Sequence, residues 1–286
     1  MSDKCSSCSQ NGSCTKESKC TVMLPKHGKI KKIIAVMSGK GGVGKSTVTG
    51  ILATKLREAG HSVGVLDADI TGPSMPRFFG INDKRAIMQP EGEEVKFIPV
   101  ESETGIKVIS LNLLIQNEED PVIWRGPVIN GVLNQMYVDT VWGELDYLLI
   151  DMPPGTGDIA LTIMQSTPIT GVVMVSTPQD MVTMIVKKLV TMASKLNMNT
   201  LGVVENMSYV TCGKCDERIR VFSKKSAKEQ AEYLGLELLS EMPIDLDFVE
   251  SLEKGNAEEY VLNSHNYDEL FEGVNKAINK SVNIIK

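Results

Sequence analysis

The sequence predicts an α/β fold: a doubly wound, mostly parallel sheet with helices covering both faces. Three observations predict it. Short runs that are apolar throughout, rather than alternating, recur at 33–36, 63–66, 147–150, 171–175 and 201–204, as strands buried on both faces do. Helical patterns separate them, at 179–196 and 226–235 for example, and that alternation belongs to a parallel sheet. A glycine-rich loop leads from the first run directly into a helical pattern.

The chain has 286 residues, enough for one large α/β domain or two small ones, and is 42% hydrophobic, ample for a core. Its net charge is −6 and its pI about 5.3, so no global basic field draws nucleic acid or anionic lipid. No apolar run approaches the roughly 18 residues of a membrane span. Neither nucleic acid nor membrane is expected as a partner. The N-terminus, MSDKCSSCSQ, is polar and lacks the apolar core of a secretory signal. The expectation is a soluble, cytoplasmic protein.

Taken in order, residues 1–28 form a flexible arm rich in Ser, Lys and Cys, with almost nothing apolar before Val22-Met23-Leu24. Such a segment buries no core and needs a ligand to order it. The domain proper is expected over 29–286. IIAV (33–36) is its first strand, and Val48, Ile51, Leu52 and Leu56 then recur at helical spacing up to Gly60, a helix stop. VGVL, YLLI, GVVMV and LGVV supply further strands, and 88–115 reads as two more with a turn at Thr104-Gly105. Near the C-terminus Leu270, Phe271, Val274, Ile278 and Val282 make an apolar stripe. The opposite face mixes Asp268, Glu269 and Glu272 with Lys276 and Lys280, so the stripe is expected to pack on the sheet; a membrane-surface helix is more uniformly basic. The histidines, His27, His61 and His265, lie near no other signal and read as surface or packing residues.

The loop SGKGGVGKST carries G-x-x-x-x-G-K-[ST] as Gly39, Gly44, Lys45 and Ser46. The strand before it and the helix after it are the context this pattern requires. Gly39, Gly41, Gly42 and Gly44, with Val43 and Thr47, let backbone N–H groups close around phosphate oxygens at a helix N-terminus. Lys45 is expected to reach the β- and γ-phosphates of ATP, and Ser46 to place its hydroxyl on Mg²⁺. A second lysine, Lys40, stands inside the glycine run with no part in that pattern. Acidic partners sit at other strand ends: Asp67 and Asp69 after 63–66, and Asp151 after 147–150. A strand-end carboxylate suits a water-bridged Mg²⁺, and Gly155 and Gly157 leave its loop free to present N–H groups. Between Asp67 and Asp69 the sequence alone does not choose.

These residues carry a resemblance. SGKGGVGKST resembles the deviant Walker A phosphate loop of the MinD/ParA/nitrogenase-iron-protein class of P-loop NTPases. DADITGPSMP, PVIWRGP, DMPPGTGD, GVVENMS and the TCGKC pair together resemble the Mrp/ApbC family of iron–sulfur cluster carrier ATPases, over about residues 30–250. The resemblance implies that Lys40 crosses a dimer interface to the partner's nucleotide phosphates, coupling hydrolysis to dimerisation. It implies that Asp69 orients the attacking water, that Asp151 opens the second switch, and that Asn206 hydrogen-bonds adenine. Thr71 stands where the family usually has an aromatic residue. Trp124 and Arg125 belong to the resemblance, though a packed Trp is the plainer physical reading.

The cysteines fall in two groups. Cys212-x2-Cys215 offers two thiolates, whereas a 4Fe–4S cluster or a tetrahedral zinc takes four ligands. The arm supplies two more, or a two-fold axis does so by bringing two pairs together; a structural zinc and a redox dithiol are the alternatives. The resemblance implies the shared cluster, bridging a homodimer and handed on to apo iron–sulfur proteins. Cys5, Cys8, Cys14 and Cys20 give C-x2-C-x5-C-x5-C within one chain. Longer family members are implied to carry a ferredoxin-like motif with a further cysteine far upstream, which leaves Cys20 as the candidate to replace it here; cluster, zinc and free thiols are all open. Two competing functions are a MinD/ParA-like spatial-organisation ATPase and an ATP-dependent electron-transfer protein. The latter class draws one cluster cysteine from each of two loops, and none lies beside DMPPGTGD.

Overall fold

The computed structural model describes residues 22–284, apart from 71, 73, 93, 116–125 and 216. The arm cysteines Cys5, Cys8, Cys14 and Cys20, Thr71, Trp124 and Arg125 therefore lie outside the described residues, as does the Val282 side chain. The chain begins with β1 (Gly28–Ser38), α1 (Lys45–Glu58), β2 (Val63–Asp67) and the short α2 (Met75–Phe78). Four strands follow, β3 (Ile87–Glu91), β4 (Glu94–Ile98), β5 (Val100–Glu101) and β6 (Lys107–Ser110). After α3 (Gly126–Val138) come β7 (Gly143–Asp151), α4 (Asp158–Ser166), β8 (Gly171–Ser176), α5 (Asp180–Lys195) and β9 (Thr200–Thr211). The last third holds β10 (Arg218–Ile219), α6 (Ala227–Leu234), β11 (Leu238–Pro243), α7 (Leu246–Lys254), α8 (Ala257–Asn263) and α9 (Asp268–Ile284).

The main sheet has nine strands in the order β10-β9-β8-β1-β7-β2-β6-β5, with β11 also on β9. All of its pairings are parallel except β10 on β9 and β5 on β6. This is the predicted doubly wound α/β architecture. Ile34, Ala35 and Val36 of β1 and Leu148, Leu149 and Ile150 of β7 are wholly buried, which is why these strands read as unbroken apolar runs. The chain adds β2 beyond β7 on one side of β1 and β8 and β9 on the other. A crevice at the carboxyl ends of the strands is where such a sheet binds ligands.

Residues 88–115 depart from expectation: they hold four strands, not two. The turn at Thr104-Gly105 is there, with the Gly105 N–H donating to the Ser102 carbonyl at 3.1 Å. The unforeseen part is the antiparallel hairpin β3–β4, whose register runs Ile87↔Ile98 to Glu91↔Glu94. Every residue of β3 is exposed, so it has no buried face to impose an apolar pattern. The histidines stay outside the sheet's carboxyl edge: His27 lies 3.3 Å from Glu91, His61 stacks edge-on to Tyr147, and His265 lies 2.9 Å from Asp268.

The C-terminal stripe packs as expected. Leu270, Val274 and Ile278 of α9 are buried in the common core. The helix sits so close to β11 that a Cβ on Gly273 would collide with the Leu239 carbonyl oxygen. Gly273→Ala is therefore expected to push α9 off the sheet and lower stability by about 1–3 kcal/mol. A urea melt checks this, and an unchanged midpoint would refute the packing. Among the described residues no helix is long and apolar enough to cross a membrane.

Candidate functional site

β1 ends at Ser38 and α1 begins at Lys45, so residues 39–44 cross the carboxyl edge of the sheet. Gly44 caps the helix with φ +79, a left-handed conformation, which glycine adopts at little cost. A Cβ there would also strike the Asn206 side-chain amide. Asn206, buried on β9, donates from Nδ2 to the Val43 carbonyl at 3.0 Å and so clasps the loop from two strands away, beyond β8. The next residue, Met207, has φ 55, an outlier position for a side-chain-bearing residue and a mark of local constraint.

Asp151, at the tip of β7, is completely buried and gathers three donors from α1. Lys45 Nζ lies 2.7 Å from Oδ2, Ser46 Oγ donates to the same oxygen at 2.6 Å, and Thr49 Oγ1 donates to Oδ1 at 2.8 Å. Lys45 is itself only 5% exposed, so its charge is balanced where it stands, as a buried ion requires. Asp69 Oδ2 lies 3.5 Å from Lys45 Nζ on the other side. Thr49 went unnoticed in the sequence because only the docking of α1 against β7 reveals its partner; its place one turn after Lys45 was the available signal.

The two aspartates at the end of β2 separate by geometry. Asp67 is turned inward, accepting from the backbone N–H groups of Asp69, Ser74 and Met75 at 3.1–3.2 Å and from Ser110 Oγ at 3.1 Å. Burial, and then the nearby charge of Asp151, push its carboxyl up to about 7. Asp69 instead lines an open cleft of about 320 Å³ together with Lys40, Gly42, Lys45, Thr47 and Pro154. Lys40 is exposed at the rim, its ammonium donating to Gln179 Oε1 at 3.2 Å just before α5. Ser46 and Asp151 offer a hydroxyl and a carboxylate within 2.6 Å of each other, the hard oxygen donors that Mg²⁺ takes. These residues fit that ion.

Cys212 and Cys215 occupy the tip of a hairpin between β9 and β10, on the same carboxyl edge of the sheet. Thr211 pairs with Arg218, and the Cys212 N–H donates to the Glu217 carbonyl at 2.9 Å. Backbone N–H of Lys214, then the Cys215 thiol and its N–H, hold the Cys212 thiol below its ordinary value. Both cysteines are free, Cys215 being fully at the surface. Among the described residues no group of three or more His, Cys, Asp or Glu gathers as metal ligands.

A strand, a left-handed glycine opening a helix, and a lysine and serine set on a strand-end carboxylate define a P-loop NTPase. The chain belongs to the ParA-type family of iron-transfer P-loop NTPases: the family model described as ParA, NUBPL iron-transfer P-loop NTPase matches residues 29–280. An iron-sulfur cluster carrier protein of Clostridium perfringens is 64% identical over 275 residues, covering 95% of this chain and 96% of its own. A solved nucleotide-binding protein of Archaeoglobus fulgidus, in complex with ADP, is 42% identical with a TM-score of 0.72, covering 85% of this chain and 92% of its own. A chain of the MinC:MinD cell division protein complex of Aquifex aeolicus, 18% identical with a TM-score of 0.62 over 87% of this chain and 96% of its own, shares the fold.

Proposed function

We propose that this protein is an ATP-dependent iron–sulfur cluster carrier that works as a homodimer in the cytoplasm. One 4Fe–4S cluster is held between the Cys212 and Cys215 pairs of two subunits and passed to apo iron–sulfur proteins. The observation that carries the reading is a thiolate-favouring Cys-x2-Cys hairpin on the same sheet edge as a phosphate loop, in a chain closely similar to a named cluster carrier. Two thiolates per chain leave a four-ligand cluster half closed, and a two-fold axis completes it. Transfer is ligand exchange: acceptor thiolates replace Cys212 and Cys215 on the irons, with no net electron transfer.

In the ATP reaction the loop N–H groups from Gly39 to Thr47 and Lys45 bind the phosphates, and Lys45 leaves Asp151 to do so. Asp69 orients a water whose oxygen bonds to the γ-phosphorus as the bond to the β–γ bridging oxygen breaks. Ser46 directly, and Asp151 through water, would hold Mg²⁺, which neutralises charge on the phosphate oxygens. Asn206 serves the adenine while keeping the loop in place. Lys40 acts in trans on the partner subunit's nucleotide. Lys40→Ala is accordingly expected to bind nucleotide normally while losing nucleotide-dependent dimerisation and turnover by about 10²-fold. Light scattering with an ATPase assay checks this; unchanged dimerisation and turnover would remove the in-trans role.

The arm cysteines Cys5, Cys8, Cys14 and Cys20 are proposed as a second, single-chain cluster site. The main test measures iron and acid-labile sulfide on anaerobically purified protein. Both are expected in equal amount, and their absence after reconstitution would overturn the carrier reading. A membrane- or DNA-organising role is less well supported, because the stripe it would use on α9 is taken up by the core.

A further inference from the structure

A buried polar cluster lies between the phosphate loop and the cysteine hairpin. Ser208 of β9 is completely buried, and its Oγ lies 2.7 Å from Glu205 Oε1 and 2.6 Å from Glu241 Oε1. Arg220, one residue beyond β10, reaches in from the return arm of the hairpin. Its Nη2 lies 2.7 Å from Glu241 Oε1 and its Nη1 donates to Ser208 Oγ at 3.3 Å. One hydroxyl carries one hydrogen. Ser208 therefore donates to one of the two glutamates at a time, while its oxygen accepts from Arg220. Burial in the sheet keeps Glu205 above the usual carboxylate range. One hydroxyl and one guanidinium thus serve two glutamates, so each member of the cluster depends on the others.

The hairpin has little else to hold it. β10 is two residues long and both are exposed, and Arg218 adds a stacking contact 4.5 Å over the Tyr209 ring. At the other end of the same short stretch, Asn206 grips the Val43 carbonyl of the phosphate loop. Between the two grips the backbone turns through the left-handed Met207. Residues 205–208 thus fasten both functional loops to one constrained piece of β9. Any shift of Val43 on nucleotide binding would act first on Asn206, two residues from Ser208 and one from Met207.

We propose that Arg220, Ser208 and the Glu205–Glu241 pair are positioning residues for the cysteine hairpin, and that through β9 they couple its geometry to nucleotide in the phosphate loop. The inference deepens the reading of Cys212 and Cys215 as the cargo site.

The test reads the hairpin without any cluster. In reduced, cluster-free protein the alkylation rate of Cys212 is measured by iodoacetamide labelling and peptide mass mapping, with and without a non-hydrolysable ATP analogue and Mg²⁺. In the parent, nucleotide is expected to change that rate about fivefold or more. Arg220→Gln and Ser208→Ala are expected to bind the analogue with parental affinity yet lose the change, and Arg220→Lys to restore part of it. A parent rate indifferent to nucleotide, or a full response surviving in either Arg220→Gln or Ser208→Ala, overturns the coupling. Iron content of the parent separately decides the carrier reading, so the two fail independently.

Discussion

Lys45→Ala is expected to lower ATP turnover by about 10²–10³-fold. The ammonium is the one cation buried in the loop, and it stands 2.7 Å from Asp151 and 3.5 Å from Asp69. Its removal takes away the charge proposed to meet the γ-phosphate and leaves Asp151 with hydroxyl donors alone. Loss of one partner of a buried pair costs about 3–5 kcal/mol when nothing compensates. Ser46 and Thr49 remain on Asp151, so a smaller penalty is expected and the variant should fold. Asp151→Asn is expected to lose turnover to a similar degree while keeping Lys45 in the cleft. Steady-state phosphate release and a thermal melt on each variant make the check. Turnover at the parental rate in either one would show that the site has been assigned to the wrong residues.

The second large effect is on cargo. Cys212→Ser/Cys215→Ser is expected to lose the proposed bridging cluster, about two irons per chain as half of a shared 4Fe–4S unit. Transfer to an apo acceptor should be abolished. The cysteines sit at a surface turn, so stability should change by no more than about 0.5 kcal/mol. Nucleotide affinity should match the parent. Anaerobic reconstitution followed by an acceptor-activation assay distinguishes the outcomes. Undiminished transfer would put the carrier site in the arm cysteines.

The features that were legible in the sequence are those whose chemistry is contiguous. SGKGGVGKST, the Asp151 strand end and Cys212-x2-Cys215 each declare themselves within a dozen residues. The buried parallel strands did so as well, because both of their faces need apolar side chains. Features built by tertiary contact were not legible. Thr49 gains its meaning only from Asp151 on another strand, and Asp67 and Asp69 are alike until the chain turns one inward onto Ser74 and Met75. The apolar pattern marks β9 only as far as 204, yet the strand continues to Thr211. Its second half, ENMS and beyond, replaces apolar burial with polar groups satisfied by β11 and Arg220. A composition-based reading has no means of seeing that exchange.

The sheet order carries a mechanical consequence. β1, which feeds the phosphate loop, has hydrogen-bonded neighbours on both sides, β7 and β8. The cysteine turn closes a ladder of two residue pairs at the margin, Thr211↔Arg218 and Val210↔Ile219. Opening free energy rises with the buried structure that must come apart. Amides around Cys212 should therefore exchange with solvent through a small local opening, while those of β1 wait for the whole domain to unfold. On the function proposed above, a local opening at the margin would let a bound cluster depart while the centre of the sheet stays folded.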